Sequence, residues 1–200
     1  MDKSKKEIRH AFTVPYEKIT PVLLTKVSFS SSFKNANAIE VTGIGIWDTG
    51  ATTSAISSNI AKKCNLIPIS KAEVHTAGGL VSQNVYLVDI LVPNGVVINS
   101  VKVTEIPEIH GADALIGMDV IQLGDFAISN TDGKTTFTFR IPSCKKYDFV
   151  EDIDNYNRQI AKKNHQLHLY EEKKNGKKKC PCGSGRPYRY CCGKKETQKS

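Results

Sequence analysis

The sequence predicts a mainly β domain, followed by an amphipathic helix and a small cysteine knuckle. Three observations carry that expectation. Runs rich in β-branched and aromatic residues recur between residues 20 and 141, separated by turn signals. After Pro142 the apolar spacing becomes helical. Four of the six cysteines fall within thirteen residues near the C-terminus.

The expected organisation is a flexible N-terminal segment (1–19), a β domain (20–142), a helix (143–170), a basic linker (171–179) and the knuckle (180–194). Within the β domain, Thr20 to Phe29 reads as a strand and Asn37 to Trp47 as a second. In the second, the apolar phase runs Ile39, Val41 and then shifts to Ile44, Ile46. Gly43 and Gly45 sit at the shift and predict a bulge or a bend. Asp48 to Ser54 is turn-rich, and Ser57 or Ser58 can cap a short helix ending at Cys64. Glu73 to Thr76, Val85 to Val92 and Val96 to Val103 are further β-branched runs. Pro93-Asn94-Gly95 predicts a hairpin between the last two, and Gly78-Gly79 a second hairpin tip. Ala114-Leu115-Ile116 is a short apolar run that meets Gly117, with a short helix over Met118 to Leu123. Phe126 to Ser129 and Thr135 to Ile141 flank a turn at Thr131-Asp132-Gly133. Phe137, Phe139 and Ile141 alternate with Thr136, Thr138 and Arg140, as in a half-buried strand. Beyond it, Phe149, Ile153, Tyr156, Ile160 and Leu167 define a helix over about 147–170, suited to docking on the β domain or on a partner helix.

Net charge is +8, and residues 171–200 hold ten Lys/Arg against three Asp/Glu. The globular part is thus nearly neutral and the tail is basic. A basic tail fits a nucleic acid, an acidic partner or plain solvation. No run approaches the ~18 apolar residues of a membrane span, and Met1-Asp-Lys-Ser-Lys-Lys-Glu does not read as a signal peptide. The expectation is a cytoplasmic protein with no membrane partner. Clustered rather than scattered cysteines favour metal over disulfides.

Three motifs bear on chemistry. Ile46-Trp47-Asp48-Thr49-Gly50-Ala51 ends a strand with a carboxylate. The strand can deliver Asp48 to a floor, Thr49 offers a hydroxyl to lock the loop, and Gly50 lets a backbone N–H approach the carboxylate. Ala77-Gly78-Gly79-Leu80 lies thirty positions after Asp48, and Ala114-Leu115-Ile116-Gly117 precedes a short helix. In order and spacing these resemble the retropepsin-like aspartic proteases over about residues 20–141. The resemblance implies a closed β-barrel protomer, a catalytic loop at Asp48, Thr49 and Gly50, and a flap at Gly78 and Gly79 that binds substrate. It also places Leu115-Ile116-Gly117 under the loop. Trp47 departs from the small or aliphatic residue expected there. With one Asp-Thr-Gly in 200 residues, the second aspartate must come from another copy, so a homodimer is implied. Asp113 reads as a turn residue and Asp119 as a first-turn carboxylate on the helix dipole. His75 reads as a strand-face residue, and Cys64 as a small buried apolar one.

In the tail, Cys180, Cys182, Cys191 and Cys192 can close a tetrahedral Zn²⁺ site with no position open for chemistry. The string resembles the SEC-C motif, an add-on to many bacterial proteins. The resemblance implies these four cysteines as zinc ligands, contact with a protein partner or the ribosome, and a bacterial origin. Two functions follow. One is an aspartic endopeptidase acting on protein or peptide substrates, with structural zinc and no catalytic cofactor. The other is a non-catalytic dimeric scaffold that keeps the fold and binds proteins through its tail.

Overall fold

The computed structural model describes residues 8–33, 39–76, 79–107 and 111–195. It divides into two compact units, Met1–Lys145 and Lys146–Ser200.

The first unit is mainly β. Its strands are β1 (His10–Pro15), β2 (Leu23–Ser31), β3 (Val41–Trp47), β4 (Ala55–Ser57), β5 (Ser70–Thr76), β6 (Gly79–Leu91), β7 (Val97–Ile106), β8 (Ala114–Ile116), β9 (Asp125–Ser129) and β10 (Thr136–Ile141). Two short helices, α1 (Ser58–Lys63) and α2 (Met118–Ile121), interrupt them. Seven strands form one sheet in the order β2-β3-β8-β4-β7-β6-β5, and β6 also pairs with β2. That extra pairing closes six strands into a barrel and, among the described residues, leaves β5 paired only with β6. The inside is filled by Val27, Phe29, Ile56, Val88, Val103 and Ile116, all buried.

Gly43 and Gly45 do not mark a bulge. The β2–β3 register runs unbroken from Leu23↔Trp47 to Phe29↔Val41. The glycines are there because space is lacking: a Cβ on Gly43 would lie 2.8 Å from Asp113 Cβ, and one on Gly45 would lie 3.0 Å from Val27 and 3.1 Å from Ile116. A register shift does occur elsewhere, between Val88 and Ile90 in the β6–β7 pair. There Asp89 Oδ1 accepts from Ser32 Oγ at 2.6 Å and from the Ser100 N–H at 2.8 Å.

The expectation of a flexible segment to residue 19 is corrected by β1, which pairs antiparallel with β10 from His10↔Ile141 to Pro15↔Thr136. Phe12 and Val14 drive this, because they pack against the core while Thr13 between them is exposed. β1, β10 and β9 form a separate three-stranded sheet. Its Phe12, Phe126, Phe137 and Phe139 surround the Trp47 ring, with Phe139 at a centroid distance of 4.9 Å. Trp47 Nε1 donates to Thr25 Oγ1 at 2.8 Å, so the buried indole has a polar partner.

The second unit opens with α3 (Phe149–Gly176). Asp148 Oδ1 accepts from the Glu151 N–H at 3.2 Å as its N-terminal cap. The helix outruns the predicted end at 170, and the expected linker 171–179 is corrected accordingly: Glu171 to Lys174 are good helix formers and continue it. Two short 3₁₀ turns, Tyr188–Tyr190 and Cys192–Lys195, then shape the knuckle. No described helix is long and apolar enough to cross a membrane.

Candidate active site and metal site

Asp48 sits at the end of β3. Parallel pairing of β3 with β8, and antiparallel pairing of β8 with β4, make the chain arc across the end of β8 between residues 48 and 54. The Asp48 N–H donates to the Ile116 carbonyl at 2.9 Å, which extends the β3–β8 ladder to the carboxylate itself. Asp48 Oδ1 accepts from the Gly50 N–H at 2.8 Å. A Cβ on Gly50 would lie 3.2 Å from that oxygen, so glycine suits the close approach. Thr49 is exposed.

The loop rests on the junction of β8 and α2. Met118 N–H donates to the Ala51 carbonyl at 2.8 Å, and Asp119 N–H to the Thr52 carbonyl at 3.3 Å. Gly117 is pressed against the loop backbone, where a Cβ would lie 2.7 Å from the Thr53 carbonyl carbon and 2.9 Å from the Ala51 oxygen. Leu115-Ile116-Gly117 therefore packs under the loop, as the resemblance implied.

Sequence reasoning missed a clamp here. Ser54 is buried, and its hydroxyl donates to Asp119 Oδ1 at 2.7 Å while accepting from the Gly117 N–H at 3.0 Å. Ser54 N–H donates to Asp119 Oδ2 at 2.9 Å. Asp119 does lie in the first turn of α2 and accepts from the Val120 N–H at 3.0 Å. Its carboxylate is spent chiefly on the loop. No local signal joins residues 65 positions apart. Asp113 accepts from the Ile44 N–H at 2.9 Å and pins β3 near its start.

Beside Asp48 opens a cleft of about 350 Å³, lined by Thr20, Pro21, Leu23, Trp47, Thr49, Phe126, Ile128 and Asn130. Trp47 thus contributes to the wall as well as to the core. The β5–β6 hairpin pairs from Ser70↔Val85 to Thr76↔Gly79. Of its predicted tip, Gly78 lies outside the described residues, and Gly79 has φ +112°, a value that favours glycine. Leu80 and Val81 next to it are exposed. His75 lies in β5.

A second polar network braces α1 and the root of that hairpin. Glu105 accepts from Ser58 Oγ at 2.5 Å, Tyr86 Oη at 2.7 Å and Asn84 Nδ2 at 2.8 Å. The Ser58 hydroxyl above all holds the Glu105 carboxyl below its ordinary value, and burial pushes the Tyr86 phenol up. Cys64 is buried against Phe29, and burial raises its thiol to about 11. It is a packing residue, not a nucleophile.

In the second unit, Cys180, Cys182, Cys191 and Cys192 place their sulfurs within 4.8 Å of one another, and none is in a disulfide. Tetrahedral Zn–S bonds of about 2.3 Å set sulfurs about 3.8 Å apart, so the cluster fits a metal ion. Gly183 and Gly185, at φ +79° and +68°, turn the chain between the ligand pairs. The Ser184 hydroxyl draws the Cys182 thiol down to about 6, whereas neighbouring sulfurs, Cys180 foremost, push Cys192 up to about 12. Deprotonated together, four sulfurs this close would repel one another, and a cation between them would relieve that repulsion.

Residues 44–123 match the family model described as gag-polyprotein putative aspartyl protease. The match supports a retropepsin-like aspartic protease domain over that stretch. No curated protein matches the chain. Among solved structures, a retropepsin-like aspartic protease from Rickettsia conorii is similar at 11% identity and a TM-score of 0.40, over 68% of this chain and 98% of that one. The simian foamy virus (mac) protease is similar at 16% identity and a TM-score of 0.33, over 48% and 91%. The retroviral protease-like domain of Ddi1 from Leishmania major is similar at 16% identity and a TM-score of 0.35, over 60% and 95%.

Proposed function

We propose that the chain is an aspartic endopeptidase whose active site is completed by a second copy of itself. The observation that carries this reading is Asp48, held by the Gly50 N–H at 2.8 Å at the edge of an open cleft. The loop occurs once in the chain, so two Asp48 residues meet only across a two-fold axis. Like charges at short range oppose double ionisation, and the pair keeps one shared proton and titrates as a unit. The ionised carboxylate takes a proton from a bound water as that water attacks the peptide carbonyl. The protonated one donates to the carbonyl oxygen as charge develops there. No covalent intermediate is required.

Thr49 belongs to the same loop, and its exposed hydroxyl is available to the second copy. The β5–β6 hairpin, with Gly78 and Gly79 at its tip, serves as the flap that covers the substrate and excludes water. Zn²⁺ held by Cys180, Cys182, Cys191 and Cys192 is structural and supplies no step of the reaction. The knuckle recruits the enzyme to a protein partner or substrate in the cytoplasm.

Cleavage of a denatured protein or a peptide pool, followed across pH, tests the reading. Wild type should cut with an acid-favoured, bell-shaped profile and be blocked by statine-type mimics of the tetrahedral state. Asp48→Asn should be inactive. Equal cleavage by Asp48→Asn ends the proposal, and inactivity of a folded dimeric wild type favours a binding scaffold instead.

A further inference from the structure

The long helix α3 carries an exposed apolar stripe that the cleavage chemistry does not use. Phe149, Ile153, Tyr156, Ile160, Leu167 and Tyr170 are all exposed. They succeed one another at four, three, four, seven and three residues, and Lys163 divides the seven into three and four. That is a 3.5-residue period. On a straight helix such a stripe drifts by about 20° per heptad, and it stays in line only when two helices wind around each other. Ile153, Ile160 and Leu167 then fall at a positions, with Phe149, Tyr156, Lys163 and Tyr170 at d. Residues 149 to 170 of α3 give a seam about 33 Å long.

Charge along the helix says what lies against the seam. From 149 to 159 there are three acidic residues, Glu151, Asp152 and Asp154, against Arg158, a net −2. From 160 to 170 there are Lys162 and Lys163 and no acid, a net +2 with histidines neutral. The positions flanking the seam at its middle, Asn157, Gln159, Asn164 and Gln166, are neutral. They offer no charge code for a foreign helix. The complement of this helix is the same helix reversed. Antiparallel pairing sets each acidic half on a basic half and opposes the two helix dipoles. Parallel pairing stacks like on like and faces Lys163 with its twin.

We propose that α3 is a self-association helix, which pairs antiparallel with the α3 of a second copy through this seam. Centred near Arg158, the pair sets Tyr156 against Ile160 of the second copy and Phe149 against Leu167. Lys163 lays its stem over Ile153 of the second copy and reaches Asp152 with its ammonium. The pairing has two-fold symmetry, as the Asp48 pair requires. It deepens the reading above by naming what brings the two copies together, and rests on that reading only for the consequence, an assembled active site.

Sedimentation of the full zinc-loaded chain over a concentration series tests it. Ile153→Ala with Ile160→Ala keeps helix propensity and removes seam packing. It should weaken the dimer at least tenfold, and Asp48→Asn should leave it unchanged. Asp152→Lys and Lys163→Glu should each weaken it, and the two together should restore it. A wild-type chain that is monomeric throughout, or an alanine pair that sediments as wild type, overturns the proposal. Failure of the charge reversal to rescue overturns the antiparallel arrangement. The two readings fail separately. If the alanine pair dissociates but wild type cuts nothing, the helix pairing stands and the protease reading falls. If wild type cuts and the alanine pair sediments unchanged, the reverse holds.

Discussion

At Gly117 and Ser54 the loop that carries Asp48 is held by contacts with almost no slack. Gly117 leaves no room for a side chain, since the nearest atoms to its missing Cβ are loop backbone at 2.7–2.9 Å. Gly117→Ala is therefore expected to lower stability by more than about 2 kcal/mol, because backbone must shift. Ser54→Ala is milder. It leaves the Gly117 N–H without its partner and takes one of two donors from Asp119 Oδ1, a loss of roughly 1–3 kcal/mol. Thermal unfolding of the two variants, ranked in that order, checks the clamp. The same loss loosens the loop, so Ser54→Ala should cut kcat more than it raises KM. A Ser54→Ala chain as stable and as active as wild type would remove the clamp from the account.

The elements differ in how firmly they are tied. β9, β10 and the chain leaving the barrel are joined at Asp125. Its carboxylate accepts from Ser143 Oγ at 2.6 Å, the Cys144 N–H at 3.0 Å and Arg140 Nε at 2.9 Å. These bonds, Ser143 first, hold its carboxyl well below the usual carboxylate range. For a depressed acid the stabilisation is present above the unfolded value of about 3.9, and fades only as pH falls through the lower folded one. The brace thus survives the mildly acid window proposed for the Asp48 pair. Asp125→Asn should cost about 2 kcal/mol at neutral pH, with the gap to wild type closing below about pH 4. Chemical denaturation at a series of pH values reads this directly. The β5–β6 hairpin is the opposite case. Among the described residues β5 pairs with β6 alone, and Leu80 and Val81 near its tip are exposed. Amide exchange should be fast at Gly79 to Val81 and slow at Leu115 to Gly117. Equal protection would take the flap role from the hairpin.

At the scale of the whole molecule, the chain divides into two compact units, the hydrophobic core belongs to the first, and the two should fail separately. Chelation of the metal, or Cys191→Ser, should unfold the knuckle and leave the melting of the β unit within about 2 °C of wild type, since no cysteine ligand belongs to it. Differential scanning calorimetry with and without chelator distinguishes this from a single cooperative loss. The proposed association is tested at the same scale. Activity per chain should fall on dilution, and an excess of Asp48→Asn chains should poison wild type by forming mixed pairs.

The strand runs, the two hairpin turns, the short helix capped by Ser57 and the cysteine cluster were legible in the sequence, because each is a local matter of period, turn chemistry or spacing. The Asp48 loop with Gly117 beneath it was legible too, through motif order. What the tertiary structure alone decided lies between residues far apart in the chain. β1 pairs with β10 across more than a hundred residues, so the polar stretch before it reads as a frayed end in the sequence. Gly43 and Gly45 looked like a bulge until Asp113, Val27 and Ile116 closed on them. Trp47 looked out of place until four phenylalanines from a second sheet surrounded it. The Ser54–Asp119 clamp, like these, depends on which side chains the closed barrel brings within 3 Å. Local pattern sets which elements form, and long-range packing sets what each residue is for.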